Sequence, residues 1–417
     1  MTFEELNLNE QLLEALSYMG FTDATPIQEM AIPEILKGKD ILACAQTGTG
    51  KTAAFVLPIL NKLVNKSDNS IDTLVVVPTR ELAIQIEQQI QGLAYFVSVG
   101  SQTVYGGGDG KDWEIQKEAL KHGTDIIVAT PGKLLSHLKL GYVNFKHIKH
   151  LVLDEADRMM DMGFIDDLKN IISYLPKNHQ TLMFSATMPE AIRQLAKRIT
   201  NDPVEISLGI SKPAEGVDQK VYLAFDEQKQ ALLHSILKDK VDYDSIIVFT
   251  STKNKVSGIV KGLRNAGFNA QGISSNLEQD KREEVLLGFR SKRIRILVAT
   301  DVMSRGIDIK EINMVINYDV PGDAEDYVHR VGRTARANTK GEAYTIVNPH
   351  DMQRFARIER LIGYELEKLA PPAELGEGPE WKVPERKKKK KFSKKKNFKK
   401  KNNSQPKKDN NQQNPNK

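Results

Sequence analysis

The sequence predicts an α/β protein of two tandem domains, each a doubly wound parallel sheet, followed by a disordered basic C-terminal tail. Three observations carry this. Short, almost continuously apolar runs alternate with segments of helical periodicity, the pattern of strands covered on both faces. The alternation stops at a stretch containing Gly, Pro and Ser, then restarts. The last stretch is too rich in lysine to bury a core. A chain of 417 residues also exceeds one ordinary domain.

The early strand candidates are DILACA (40–45), TLVVVP (73–78), DIIVAT (125–130), LVLDE (151–155) and TLMFSAT (181–187). Segments between them, such as RELAIQIEQQIQGLA, have the 3.6-residue period of helices. SLGISKPAEGVDQK (207–220) reads as a linker. Later candidates are SIIVFT (245–250), IRILVAT (294–300), INMVINYDV (312–320) and EAYTIV (342–347). IDTLVVVPT resembles YDSIIVFTS, and IIVATP resembles ILVATD, a faint internal echo that suggests two similar domains. The expected division is 1–206, a linker at 207–218, a second domain at 219–368 and a tail at 369–417.

The net charge of +6 divides unevenly. Residues 386–417 hold 15 Lys/Arg and one Asp, or +14, which leaves the rest of the chain at −8. An acidic body with a basic tail predicts that the tail is drawn to a polyanion. The body must hold its ligands by local arrangement. No run of about 18 apolar residues exists, so no membrane span is expected. The start, MTFEELNLNEQLLEAL, lacks the regions of a signal peptide. Cys44 is the single cysteine, which excludes an internal disulfide and fits a cytoplasmic setting.

AQTGTGKT (45–52) follows the first strand. A Gly-rich loop between strand and helix aims backbone N–H groups at an anion, and the helix N-terminus adds partial positive charge. The loop comprises Ala45, Gln46, Thr47, Gly48, Thr49 and Gly50, with Ala45 where the common phosphate-loop pattern has Gly. Lys51 can reach the β- and γ-phosphates of ATP, and the Thr52 hydroxyl can ligate Mg²⁺. The bland alternative is a glycine turn.

LVLDEADRMMD (151–161) ends a buried strand in carboxylates, which is costly unless they are paired or bind a metal. Beside a phosphate loop, Asp154 suits Mg²⁺, largely through water. Glu155 is placed to polarise an attacking water. Asp157 reads as a linker to a neighbouring motif. Without the phosphate loop, a solvated acidic turn would be the better reading.

With DEAD intact at 154–157 and further motifs in order, the sequence resembles the DEAD-box RNA helicases of helicase superfamily 2, over about residues 1–350. The resemblance implies two RecA-like domains. In GFTDATPIQ (20–28), Phe21 would stack on adenine, Gln28 would read its edge and Thr25 would support the phosphate loop. PTRELA, YGGG and TPGK would supply sugar–phosphate contacts from Pro78, Thr79, Arg80, Gly106, Gly107, Thr130, Pro131 and Gly132. Lys133 stands where the family usually has Arg, which keeps charge but loses the bidentate fork. In SAT, Ser185, Ala186 and Thr187 would couple hydrolysis to strand separation through bonds to Asp157.

For the second domain the resemblance gives Asp301 to the ATP ribose, with Gly306 and Thr300 on the nucleotide and RNA paths. Arg333 and Arg336 would be arginine fingers, and His329 and Arg330 would build the domain interface. Gln279 and Arg282 match an RNA-contacting pattern, whereas Ser274–Ser275 replaces the family's usual His-Gly. The expected activity is an RNA-dependent ATPase that uses ATP and Mg²⁺ to close two domains on RNA, without base-sequence preference, and to open short duplexes. A monomer is expected. In the tail, Phe392 and Phe398 could stack on bases among lysines. The competing readings are a non-catalytic ATP-gated RNA clamp and a DNA translocase. Intact Lys51, Glu155, Arg333 and Arg336 argue against the clamp.

Overall fold

The computed structural model describes residues 1–45, 48–68, 70–107, 110–208, 216–274, 277–300, 312–334 and 341–383, apart from the Gln279 side chain. Gln46, Thr47, Asp301, Gly306, Arg336 and the basic tail from 384 therefore lie outside the described residues.

The first sheet contains β1 (Ile41–Cys44), β2 (Thr73–Val76), β3 (Ser101–Val104), β4 (Ile126–Ala129), β5 (His150–Leu153), β6 (Gln180–Ser185) and β7 (Val204–Ser207). Its helices are α1 (Glu10–Tyr18), α2 (Pro26–Leu36), α3 (Lys51–Leu63), α4 (Arg80–Leu93), α5 (Gly110–His122), α6 (Pro131–Leu138), α7 (Ala156–Asp161), α8 (Ile165–Ser173) and α9 (Glu190–Ile199). All its pairings are parallel, in the order β3-β4-β2-β5-β6-β1-β7.

The second sheet contains β8 (Val217–Leu223), β9 (Ile246–Phe249), β10 (Ala270–Ile273), β11 (Ile296–Ala299), β12 (Met314–Asn317), β13 (Gly341–Val347) and β14 (Lys368–Leu369). Its described helices are α10 (Lys229–Lys238), α11 (Lys253–Asn265), α12 (Gln279–Arg290), α13 (Ala324–Val331) and α14 (Met352–Ile362). The order β10-β11-β9-β12-β13-β8-β14 is that of the first sheet with seven added to each strand number. The two sequence echoes fall on matching strands, β2 with β9 and β4 with β11.

Alternation along each central strand sends successive side chains to opposite faces. In β2, Val75 joins one buried cluster while Leu74 and Val76 join another; in β5, Val152 and the pair Leu151 and Leu153 divide the same way. Helices cover both faces, so Leu74–Val76 in β2 and Leu151–Leu153 in β5 are unbroken apolar runs. Parallel strands place all their carboxyl ends on one side, where ligands of open α/β sheets bind. The phosphate loop follows β1, Thr79 follows β2, Thr130 follows β4, Asp154 follows β5 and Thr300 follows β11.

Two sequence expectations need correction. β8 starts at Val217, inside the stretch read as linker, and β3, β7, β10 and β14 carry no continuous apolar run. The last four are edge or near-edge strands with mixed burial, so the signal that found central strands is missing there. The expected tail from 369 begins later, because residues 370–382 pack on the second domain. Trp381 meets Phe355 edge-on, with ring centroids 6.2 Å apart, and takes the Lys368 ammonium over its face. Gln228 donates to the carbonyls of Leu375 and Glu377. At Gly378 an added Cβ would stand 2.2 Å from the Leu223 carbonyl oxygen, so the backbone approach there requires glycine.

Candidate functional site

Lys51 begins α3 directly after Gly50, whose φ of +94° is open to glycine. A Cβ on Gly50 would also meet the Gln28 amide at 2.5 Å and Thr25 Oγ1 at 2.8 Å. The α2 N-terminus therefore packs against the phosphate loop. Gln28 Nε2 donates to the Gly50 carbonyl at 3.1 Å, and its Oε1 accepts from the Thr25 N–H at 2.9 Å. Together the two bonds use half of the amide's capacity, which leaves one N–H and one lone pair for a ligand edge. Phe21 is half exposed on the same cavity of about 310 Å³, with Thr25, Gln28, Gly48, Gly50, Lys51 and Thr52.

The Lys51 ammonium is buried and makes no hydrogen bond among the described residues, and Asp154 Oδ1 is its ion-pair partner at 4.0 Å. A buried ammonium with spare donors fits a phosphate. Asp154 is buried and accepts the Glu155 N–H at 2.9 Å. Burial pushes its carboxyl up to about 6, Lys51 opposing and Glu155 adding to the rise. An anion so penalised fits a nearby cation such as Mg²⁺. Among the described residues no group of three or more His, Cys, Asp or Glu could hold a metal. Oxygen ligation shared with phosphate and water is the arrangement Mg²⁺ favours.

Glu155 caps α7 with φ +50°, the left-handed region that a non-glycine residue enters at a cost of about 1–3 kcal/mol. Arg158, one turn on, pairs with it at 2.8 Å. Burial alone would raise the Glu155 carboxyl; Arg158, Lys51 and Arg333 outweigh burial and hold it below its ordinary value. Sequence reasoning missed Arg158, although its i,i+3 spacing from Glu155 was a legible signal.

Asp157 joins two strand ends. Its Oδ2 accepts from both the N–H and the hydroxyl of Thr187, each at 2.8 Å, and its own N–H donates to Ser185 Oγ at 3.1 Å. Ser185 donates in turn to the Thr187 carbonyl at 2.7 Å. A second cavity of about 430 Å³ is lined by Asp157, Ala186, Thr187 and His329. Lys51, Glu155 and Arg333 line both cavities.

Thr79 caps α4, its hydroxyl accepting from the Leu82 N–H at 3.3 Å. Pro131 and Gly132 open α6 behind Thr130, and a Cβ on Gly106 or Gly132 would meet only open space. Arg80 lies over the Tyr105 ring, 4.4 Å from its centroid, and pairs with Glu283 at 2.6 Å. Among the described residues its Nε and Nη1 are buried without a hydrogen bond, capacity that suits a phosphate. Arg282 pairs with Glu81 at 2.8 Å. These reciprocal pairs join α4 to α12, a role that sequence reasoning did not anticipate for Arg80 and Arg282.

In the second half, Arg333 is buried just past α13 on the cavity walls. Arg330 was expected at the domain interface, but its described bonds run inward, to Asn317 Oδ1 at 3.1 Å and the Asp319 carbonyl at 2.9 Å, with its guanidinium over Phe249. A guanidinium one turn from Arg333 thereby fixes α13 to the ends of β9 and β12.

A family model for DEAD/DEAH box helicases matches residues 25–195, and one for the helicase conserved C-terminal domain matches 228–338. The DEAD-box ATP-dependent RNA helicase CshA of Geobacillus kaustophilus is 42% identical over 371 residues, covering 89% of this chain and 79% of that protein. The chain belongs to the DEAD-box ATP-dependent RNA helicases. S. cerevisiae Dbp5 bound to RNA and ADP BeF3 superposes on this DEAD-box chain with a TM-score of 0.79 at 31% identity, over 88% of this chain and 95% of Dbp5. A Dbp5 variant bound to Nup159, Gle1, IP6 and ADP gives 0.63 at 30% identity, over 87% and 95%. The two sheets are thus tandem RecA-like domains.

Proposed function

We propose that this DEAD-box chain is an RNA-dependent ATPase whose two RecA-like domains, 1–206 and 219–368, close on RNA backbone when ATP binds and open short duplexes locally. One observation carries the reading: Lys51 and Glu155 from the first half and Arg333 from the second line the same cavities. Hydrolysis then needs the halves together. The higher TM-score against Dbp5 bound to RNA and ADP BeF3 than against its Nup159-, Gle1- and ADP-bound variant supports the same reading.

In this account Lys51 meets the β- and γ-phosphates, and Phe21 and Gln28 hold adenine. Thr52 and Asp154 would hold Mg²⁺, which would supply neutralising charge to phosphate oxygens. Glu155, kept anionic by Arg158, Lys51 and Arg333, orients a water and accepts its proton. Arg333, joined by Arg336, offsets charge that builds on the γ-phosphoryl group. Asp157, Ser185 and Thr187 carry the state of the DEAD segment to β6. Thr79, Arg80, Gly106, Gly107, Thr130 and Gly132 on one side, and Gln279, Arg282 and Thr300 on the other, hold RNA by its backbone. Among the described residues no helix is long and apolar enough to cross a membrane, in keeping with work in the cytoplasm.

Steady-state ATP hydrolysis with and without single-stranded RNA tests this, with single-stranded DNA and Glu155→Gln as controls. RNA alone should stimulate turnover, and the substitution should abolish it. ATP-dependent RNA binding without hydrolysis in the unsubstituted chain would instead support the clamp.

A further inference from the structure

Lys133 occupies the first turn of α6, where the helix's partial positive end disfavours a cation. Something must hold that ammonium in place. It lies over the Trp113 ring, 4.2 Å from the centroid. Trp113 belongs to α5, and its neighbour Asp112 adds an attractive carboxylate charge toward Lys133.

The indole itself rests on a rigid floor. The His137 ring, one helical turn beyond Lys133, stacks on Trp113 with centroids 4.0 Å apart and planes 17° from parallel. His137 is fully buried, and both of its ring nitrogens are engaged. Gln116 Nε2 donates to the Tyr105 carbonyl at 3.2 Å, which turns Gln116 Oε1 toward His137. That oxygen can only accept, so His137 carries its proton on Nε2 and donates it at 3.3 Å. Nδ1 is then left to accept the Tyr142 hydroxyl. His137, Gln116 and Tyr142 are thus joined in one hydrogen-bonded network that favours a single arrangement beneath the indole.

We propose that Trp113 is a positioning residue for RNA binding, docking the Lys133 ammonium on its indole face so that lysine can serve the phosphate contact usually made by arginine in this family. The inference rests on the RNA-backbone reading given above. A free lysine side chain is a flexible point charge that loses rotamer freedom on meeting a phosphate. A lysine already held over an aromatic ring has lost part of that freedom before RNA arrives. The indole thereby supplies through preorganisation some of what the missing guanidinium fork would supply through geometry.

The test is RNA-stimulated ATP hydrolysis titrated with single-stranded RNA. The variants are Trp113→Leu, Trp113→Phe, Lys133→Met and the Trp113→Leu/Lys133→Met pair. Trp113→Leu should raise the RNA KM about three- to tenfold with little change in kcat. Trp113→Phe, which keeps an aromatic face and the packing, should recover most of the loss. Lys133→Met should raise the KM as well, and adding Trp113→Leu to it should raise it no further. If Trp113→Leu costs as much in the Lys133→Met background as alone, Trp113 acts through general packing and the inference fails while the RNA reading stands. If Lys133→Met leaves the KM unchanged, lysine makes no RNA contact and the reading beneath the inference fails at this residue. Should Trp113→Leu fold poorly, an unrecovered KM in Trp113→Phe overturns the inference, and a recovered one supports it.

Discussion

Glu155 sits in the left-handed region at φ +50°, a conformation with a cost that its surroundings must cover. Its pairing with Arg158 at 2.8 Å is the local compensation. Arg158→Ala removes the partner of a buried carboxylate, so turnover should fall by tenfold or more and thermal stability should drop by about 3 kcal/mol. Calorimetry alongside the ATPase assay checks both. His137 offers a pH test. Burial, reinforced by Lys133, lowers its pKa from 6.5 to about 4 in the folded chain. A depressed histidine contributes stability above pH 6.5 that is lost as pH falls toward 4. His150 shifts the same way, to about 4, first through burial and then through Lys62. The melting temperature should therefore fall between pH 7 and pH 5, and less steeply in His137→Gln. An equal slope in both chains would contradict the neutral, buried assignment. The candidate site residues Lys51, Asp154 and Glu155 were legible because each lies shortly after the end of an apolar strand. Arg80 and Arg282 were read as RNA contacts, and their pairs with Glu283 and Glu81 were not, because such partners lie some 200 residues apart in sequence.

At the scale of elements, central strands were legible because both of their faces are covered, which makes IIVF and ILVA unbroken apolar runs. Edge strands escaped notice because SQTV and AQGI have only partly buried residues to announce them. The segment after β14 looked like tail for a related reason. Its attachment depends on single features, Trp381 on Phe355 and the carbonyls held by Gln228, and not on a period. Gly378→Ala should destabilise the second domain by about 1–3 kcal/mol, because its Cβ has no room beside the Leu223 carbonyl. A chain ending at Leu369 should melt about 5 °C or more below one ending at Val383. Equal melting temperatures would mean that the 370–383 segment adds nothing to the fold.

Across the whole molecule, two copies of one strand order meet at shared cavities, the first through the segments after its strands and the second through α13 and Arg333. The sequence echo between β2 and β9 was a surface trace of that duplication. Ion pairs from α4 to α12 hold the halves together in the same arrangement. Charge exchange tests them: Arg282→Glu should weaken RNA-stimulated turnover, and adding Glu81→Arg should restore part of it. In the proposed cycle ATP and RNA each favour the closed arrangement, so each must tighten the other's binding by the same factor. The direct measurement is RNA affinity by fluorescence anisotropy with and without a non-hydrolysable ATP analogue, paired with the analogue's affinity with and without RNA, at one salt concentration. The expected result is tightening of about tenfold or more, equal in both directions. Affinities that do not respond to the other ligand would contradict closure as the link between the two sites.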